Sequence, residues 1–373
     1  METERITVKE IARLAGVSIG TVDRVLHDRG GVSAETKERI DEIIASLGYE
    51  PNILARHLSL NKTYTFRALL PRIDQDSGYW ALCLEGLRLA ERDFLAPYRA
   101  RLRVDEFDRY DRSSCSRLLD DVVAEPCDGL LFAPAMPEDL LPALERLSAR
   151  GESRSGGPVP YAFFDSEVEG ASPVASIAQD PLRGGRLAGR LLSLLSRPEG
   201  LLVALSAHAG DRHIAKRIEG FESYFSEGGR RPRAIEAYEC RDLEHPEERE
   251  GFLSGLFGSG RDIAGVLVAN SSGHLVGDWL ADRGLKDGRA VVSWDLVPAN
   301  ARALGEGRLD CLVSQRPMEQ AREALLRLFK FVLEGAPAAE PSAAIPLDVY
   351  FRENIPVGAE AGEGFGSRER SYR

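Results

Sequence analysis

The stretch ITVKEIARLAGVSIGTVDRVLHDRGGVSAETKERIDEIIASLGYEPNILARHLSL, Ile6 to Leu60, decides how the rest of the chain is read. Val8, Ile11, Ala12, Leu14 and Ala15 have the spacing of a short amphipathic helix starting after Thr7, a residue suited to an N-cap. Gly16-Val17-Ser18 makes a tight turn, and Ser18 is placed to cap a second helix through Thr21, Val22, Val25 and Leu26. A third helix begins after Ser33, sets Ile40, Ile43, Ile44 and Leu47 on one face and stops at Gly48. Two short helices joined by a glycine-containing turn form a helix-turn-helix. A three-helix unit of this size can do little except present its second helix to a groove.

Working outward, 373 residues leave room for further domains, each with its own core. A hydrophobic content of 43% and a charged content of 29% are those of an ordinary globular chain. The formal net charge of −11 argues against a body that coats nucleic acid, while leaving room for a small DNA-reading head. That head is not basic in bulk: Met1 to Lys62 holds nine Lys/Arg against ten Asp/Glu, and Arg5 to Arg29 holds five against three. Phosphate contact must therefore come from the placement of Arg5, Lys9, Arg13, Arg24 and Arg29. The five cysteines are scattered without CxxC spacing, as expected of reduced thiols. The N-terminus METERITVKE lacks the apolar core of a signal peptide, and no later run is long enough to span a bilayer, so a cytoplasmic protein is expected.

Past the third helix, Pro51 breaks the chain and Asn52 can cap a short helix through Leu58. Alone in water so short a helix is marginal. It reads either as a linker with residual helicity or as a hinge that orders only when packed on DNA or on a symmetry mate. From Thr65 onward the pattern alternates strand and helix. Strands are expected at Thr65–Leu70, Leu102–Phe107, Gly129–Ala133, Tyr161–Phe164, Val174–Ile177, Leu201–Leu205, Ala234–Tyr238, Gly265–Ala269, Ala290–Trp294 and Cys311–Ser314. Such alternation implies parallel sheets covered on both faces, and ten strands imply two lobes.

Ligands of open α/β sheets bind beyond the carboxyl ends of the strands. Those positions hold Asp74, Tyr79 and Trp80 after the first strand, Asp165 after the fourth, and Arg217 on the helix following Leu205. They also hold Asn270, Trp294, Asp295, Gln315 and Arg316. Flat rings together with Asp, Asn, Gln and Arg are what a polyol requires: apolar faces for its C–H groups and polar groups for its hydroxyls.

On these residues the chain resembles the lactose-repressor (LacI/GalR) family of bacterial transcription regulators. The head carries the resemblance from Ile6 to Leu58, and the body carries it through RIEGF (Arg217 to Phe221), LVANSSG, SWDLVPANARAL and VSQRP. The resemblance implies an all-α helix-turn-helix domain over residues 1–50, then a hinge helix and linker over 51–64. A two-lobed α/β domain like that of periplasmic sugar-binding proteins, with Rossmann-like lobes and parallel sheets, would span 65–357, before a flexible tail at 358–373. One lobe would comprise about 65–179 and 316–335, the other about 180–315 and 345–357.

By the same resemblance the second helix would lie in the major groove, with Ile19, Gly20 and Arg24 at base edges and Arg24 reading guanine. Thr7, Ser18, Thr21 and His27 would hold phosphates or flanking bases. Asn52, Arg56 and Leu58 would belong to the hinge motif, Leu58 entering the minor groove at the centre of a palindrome. Asp23 for the usual serine, Gly20 without a side chain and His27 for asparagine depart from the family pattern and affect which operator is read. Effector ligands would be Asp165, Arg217, Asn270, Asp295 and Gln315, with Tyr79, Trp80 and Trp294 as stacking surfaces. The expected protein is a homodimeric regulator, a repressor by expectation, whose grip on double-stranded operator DNA is set by a small polar effector such as a sugar.

Two rival readings remain: a sugar-binding protein without regulatory output, disfavoured by the head, and a carbohydrate-acting enzyme using Asp165 and Asp295 as a carboxylate pair. Nothing positions a nucleophile, and His208, His213 and His274 lack metal-ligand spacing. LRGGRLAGR around Gly184-Gly185 lacks GxGxxG or P-loop spacing and reads as helix packing. No catalytic residue, cofactor or metal is expected.

Overall fold

The computed structural model describes residues 7–26, 30–47, 63–125, 127–152, 158–207, 210–227, 233–240, 243–334 and 342–359. His27, Asn52, Arg56, Leu58 and the expected hinge lie outside the described residues, as does the tail from residue 360. The chain divides into two compact units, Met1–Lys62 and Thr63–Arg373.

The first unit holds α1 (Val8–Ala15), α2 (Ile19–Leu26) and α3 (Ala34–Leu47) around Ile11, Val22 and Ile40, all fully buried. Gly16 ends α1 in the left-handed region at φ 66°, where a side chain would be strained. Ser18 caps α2, its Oγ accepting from Thr21 N at 3.1 Å and meeting Thr21 Oγ1 at 2.9 Å. Ser33 does the same for α3, accepting from Thr36 N at 3.3 Å. Thr7 differs from expectation. It stands at the N-cap of α1 in extended conformation, yet its side chain makes no capping bond, and only its carbonyl accepts from Glu10 N and Ile11 N.

The second unit is built on two six-stranded sheets. The first runs β11-β5-β4-β3-β1-β2, with β1 Tyr64–Pro71, β2 Ala100–Phe107, β3 Gly129–Phe132, β4 Tyr161–Asp165, β5 Ala175–Ala178 and β11 Ser342–Ala344. The second runs β12-β10-β9-β8-β6-β7, with β6 Leu201–Ser206, β7 Ile235–Glu239, β8 Ile263–Val268, β9 Ala290–Trp294, β10 Cys311–Ser314 and β12 Asp348–Tyr350. All pairings are parallel except β10 with β12. The short edge strands β11 and β12 were not among the ten expected, since three residues carry too little pattern to be read locally.

Central strands such as β3 and β8 are buried along their whole length, which is why they read as unbroken apolar runs rather than alternating ones. The helices that flank them are α4 (Tyr79–Ala90), α5 (Arg112–Ala124), α6 (Pro137–Glu152), α7 (Pro181–Leu195), α8 (Arg212–Ser226), α9 (Pro246–Gly258), α10 (Gly273–Asp282), α11 (Pro298–Gly305) and α12 (Pro317–Glu334). The chain leaves the first sheet after β5 and returns after β10 as α12, which packs on α4 and β4. Ala359, which sequence alone put in the frayed tail, is only 5% exposed and packs into the second lobe's core.

The α7–α8 contact matters most for the site. A Cβ on Gly185 would stand 1.9 Å from the carbonyl oxygen of Arg217, and one on Gly220 would stand 2.1 Å from that of Leu182. Two glycines thus let the helix backbones touch and seat Arg217. The glycine pair at 184–185 serves helix packing, as its spacing suggested.

Candidate functional site

Strand ends from both sheets meet in a narrow cleft with about 30 Å³ of free space. From the first lobe come Asp76, Tyr79, Trp80, Arg109 and Asp165; from the second come Asp211, His213, Arg217, Asn270, Asp295 and Gln315. Asp165 ends β4 and Asp295 follows β9, and both adopt positive φ, 73° and 58°. That conformation is uncommon for residues other than glycine, and here it turns each carboxylate off its strand.

Each carboxylate is held from behind. Asp165 Oδ1 accepts from Tyr79 Oη at 2.6 Å, and its backbone N donates to Gln320 Oε1 at 3.0 Å. Gln320 Nε2 in turn donates to Gln315 O at 2.7 Å, tying α12 to the end of β10. Asp295 accepts from Gln315 N at 3.2 Å and Gln315 Nε2 at 3.1 Å. Burial pushes the Asp295 carboxyl up to about 6, against the opposing pull of Arg217 and Gln315.

Arg217 is 1% exposed and spends its donors on the protein. Nη1 donates to Ala269 O at 3.0 Å and Nη2 to Gln315 Oε1 at 2.8 Å. The Gln179 amide oxygen, in the orientation that satisfies both ends of that side chain, accepts from Nε and Nη2 at 3.2 Å. The guanidinium lies 4.7 Å from the Trp294 ring centroid. Burial pulls its pKa below the usual arginine value.

Trp294 is the expectation that fails. It is completely buried, belongs to the second lobe's core and does not line the cleft. Its ring supports Arg217 and offers no face to a ligand. Neighbouring residues of a strand point to opposite faces, so with Asp295 turned to the cleft its predecessor goes inward. Tyr79 and Trp80 do line the cleft, with ring centroids 4.9 Å apart in an edge-on pair. Asp74 and Arg316, also singled out at strand ends, lie elsewhere: Asp74 is exposed and paired with Arg72, and Arg316 holds Asp348 of β12 at 2.8 Å.

The strand-end rule missed residues that it could have found. Arg109 follows β2, and its guanidinium bridges Asp76 of the first lobe and Asp211 of the second, the latter at 2.5 Å. Asp76 also accepts from Trp80 Nε1 at 2.6 Å. Further bonds cross between the lobes: Ser77 Oγ donates to Glu244 Oε1 at 2.8 Å, and Ser271 Oγ to Asp76 O at 2.7 Å. His213, whose pKa burial lowers, lines the cleft as well. Asn300 on α11 carries no local signal beyond its type. It is fully buried, and its Nδ2 donates to Ser271 O, Trp294 O and Asp295 O at 2.8 to 3.0 Å while Oδ1 accepts from His274 N at 2.9 Å.

In the first unit, Ile19, Gly20 and Arg24 are exposed on α2 and Ser18 is exposed at its start, while Val22 and Val25 face inward. Ile19 is 52% exposed. Thr21 is half-buried and Thr7 exposed.

Residues 68–335 match the family described as periplasmic binding protein domain, and residues 7–52 match the bacterial regulatory proteins of the lacI family. Catabolite control protein A of Staphylococcus aureus is 31% identical over 127 residues, 34% of this chain. The match spans 36% of that relative's length. A Bacteroides fragilis structure described as a LacI transcriptional regulator aligns at TM-score 0.66 with 25% identity, covering 79% of this chain and 99% of its own. An Agrobacterium vitis transporter solute-binding protein, bound with alpha-D-tagatopyranose, has the same fold at TM-score 0.67 and 20% identity, covering 81% of this chain and 98% of its own. The chain belongs to the periplasmic binding protein domain family over most of its length, and its head matches the lacI family of bacterial regulatory proteins.

Proposed function

We propose that this protein binds operator DNA through its head and that a small polyhydroxy effector, a sugar, held between the lobes sets the strength of that binding. The observation that carries the reading is the joining of two units in one chain. One is a helix-turn-helix with an exposed α2 face; the other is an interlobe cleft lined by carboxylates, amides and rings. Asp165, Asn270, Asp295 and Gln315 supply the polar edge of the effector site, with Arg217 behind them. Tyr79 and Trp80 supply its apolar side. Arg24 reads a base edge, with Ile19, Gly20, Thr21, Ser18 and Thr7 beside it, and Leu58 enters the minor groove at the centre of a palindrome bound by a homodimer. Neither matched family is a family of enzymes.

Sugar bound in one lobe arrangement and not in the other shifts the population, and the shift in operator affinity can be no larger than that preference. The test is fluorescence anisotropy of a labelled palindromic operator with the purified full chain, with and without each of a panel of monosaccharides. A sugar that changes operator affinity at least about fivefold supports the reading. Binding to operator and random duplex with equal affinity, whatever sugar is present, refutes it.

A further inference from the structure

The following rests on the sugar-sensing role just proposed and narrows the chemistry of the effector. Both arginines of the cleft are already engaged. Arg217 meets Ala269 O, Gln315 Oε1 and the Gln179 amide oxygen. Arg109 is clamped between Asp76 and Asp211, and its own side chain is 8% exposed. Asp211 stands at the N-cap of α8, yet its side chain does not cap that helix. Asp180, in the same place on α7, does cap, accepting from Arg183 N at 2.9 Å. The Asp211 carboxylate is given instead to Arg109.

What the cleft leaves open is acceptors. Asn270 is 6% exposed, and its Oδ1 has no hydrogen-bond partner in the structure while its Nδ2 reaches Ser272 Oγ at 3.1 Å. Asp165 Oδ2 takes no hydrogen bond among the described residues, its neighbour Oδ1 being the one that Tyr79 meets. Such a lining calls for a ligand that donates. Hydroxyl and ammonium groups do so; a phosphate dianion or a carboxylate has only acceptors and would face Asp165 and Asp295 unpaired.

We propose that the cleft selects effectors without negative charge, and that Asp211 enforces the selection by keeping Arg109 occupied. Asp211 is thereby a specificity-determining residue: without its carboxylate, Arg109 keeps Asp76 on Nη1 and releases Nη2 to receive an anion.

The experiment is isothermal titration of the full chain with matched probes: glucose, glucosamine, glucose 6-phosphate and glucuronate; galactose, galactose 6-phosphate and galacturonate; ribose and ribose 5-phosphate. In any set that binds, the uncharged or amino form is expected to bind at least about tenfold tighter than its anionic counterparts. Asp211→Asn is expected to close that gap about tenfold by raising affinity for the anion. Asp211→Ser, a residue suited to an N-cap, serves if the amide variant does not fold, and thermal melting reports folding of each. An anionic sugar that binds the native chain as tightly as its neutral form, or tighter, overturns the proposal and leaves sugar sensing standing. A gap unchanged in the folded variant overturns the role of Asp211. If no member of any set binds, sugar sensing falls and this proposal falls with it.

Discussion

Asn300→Ala is the perturbation that best tests how the site is held. The native side chain is completely buried and makes four hydrogen bonds to the backbone, three donated to the carbonyls of Ser271, Trp294 and Asp295 and one accepted from His274 N, while Oδ1 also meets His274 Nδ1 at 3.1 Å. A typical buried bond contributes about 1 kcal/mol net, and a buried group left without a partner costs about 1–3 kcal/mol. Not all four groups are stranded. Trp294 O is left without the Asn300 bond at the end of β9, whereas His274, in the first turn of α10, is only half-buried. A loss of roughly 3–4 kcal/mol in the second unit follows. Urea denaturation followed by tryptophan fluorescence measures it directly, since Trp294 lies at the altered carbonyl. The same variant releases the Asp295 backbone from α11, so effector affinity by calorimetry should fall by at least about tenfold even where the protein remains folded. A variant within about 1 kcal/mol of the native protein, with effector binding intact, would show that these four bonds do not hold the β9 end in place.

Three further outcomes are expected. The folded Asp295 carboxyl titrates at about 6, above its ordinary 3.8, so the folded state keeps a proton that the unfolded chain releases. Stability should therefore decline as pH rises from about 4 to about 6 and level off above, by a few kcal/mol, and Asp295→Asn should flatten that slope in denaturation curves taken across this range. Identical slopes for the two proteins would contradict it. Gly185→Ala, whose new methyl would stand 1.9 Å from Arg217 O, should force α7 and α8 apart, cost roughly 2 kcal/mol or more and weaken effector binding through Arg217. An unshifted thermal midpoint would exclude that contact. Arg24→Ala should weaken specific operator binding by roughly 1–3 kcal/mol while effector titrations stay unchanged, and undiminished discrimination against random DNA would remove Arg24 from the reading surface.

Much of the fold was legible because its signals are local. Ser18 and Ser33 announce helix starts through side-chain reach of three residues, and both caps form. Buried parallel strands announce themselves as apolar runs, and the ten longer ones are present near their expected bounds. β11 and β12 escaped because their stability comes from pairing with β5 and β10 and not from their own residues. Ala359 escaped for the same reason: a single small residue in a Gly-rich stretch has no pattern to declare its burial.

The site divides along the same line. The alternating pattern, with the rule that ligands meet the carboxyl ends of parallel strands, was enough to select Tyr79, Trp80, Asp165, Arg217, Asn270, Asp295 and Gln315, all of which line one cleft. Sequence alone could not say that Trp294 faces away, because which of two adjacent side chains turns to the cleft depends on how the strand end is twisted and held. Nor could it pair Arg109 with Asp211, which stand 102 positions apart and meet only when the two lobes do. Local chemistry sets which residues can form helices, strands and caps; electrostatic partnership falls off within a few ångströms, so which charges neutralise each other is decided only by the packed structure.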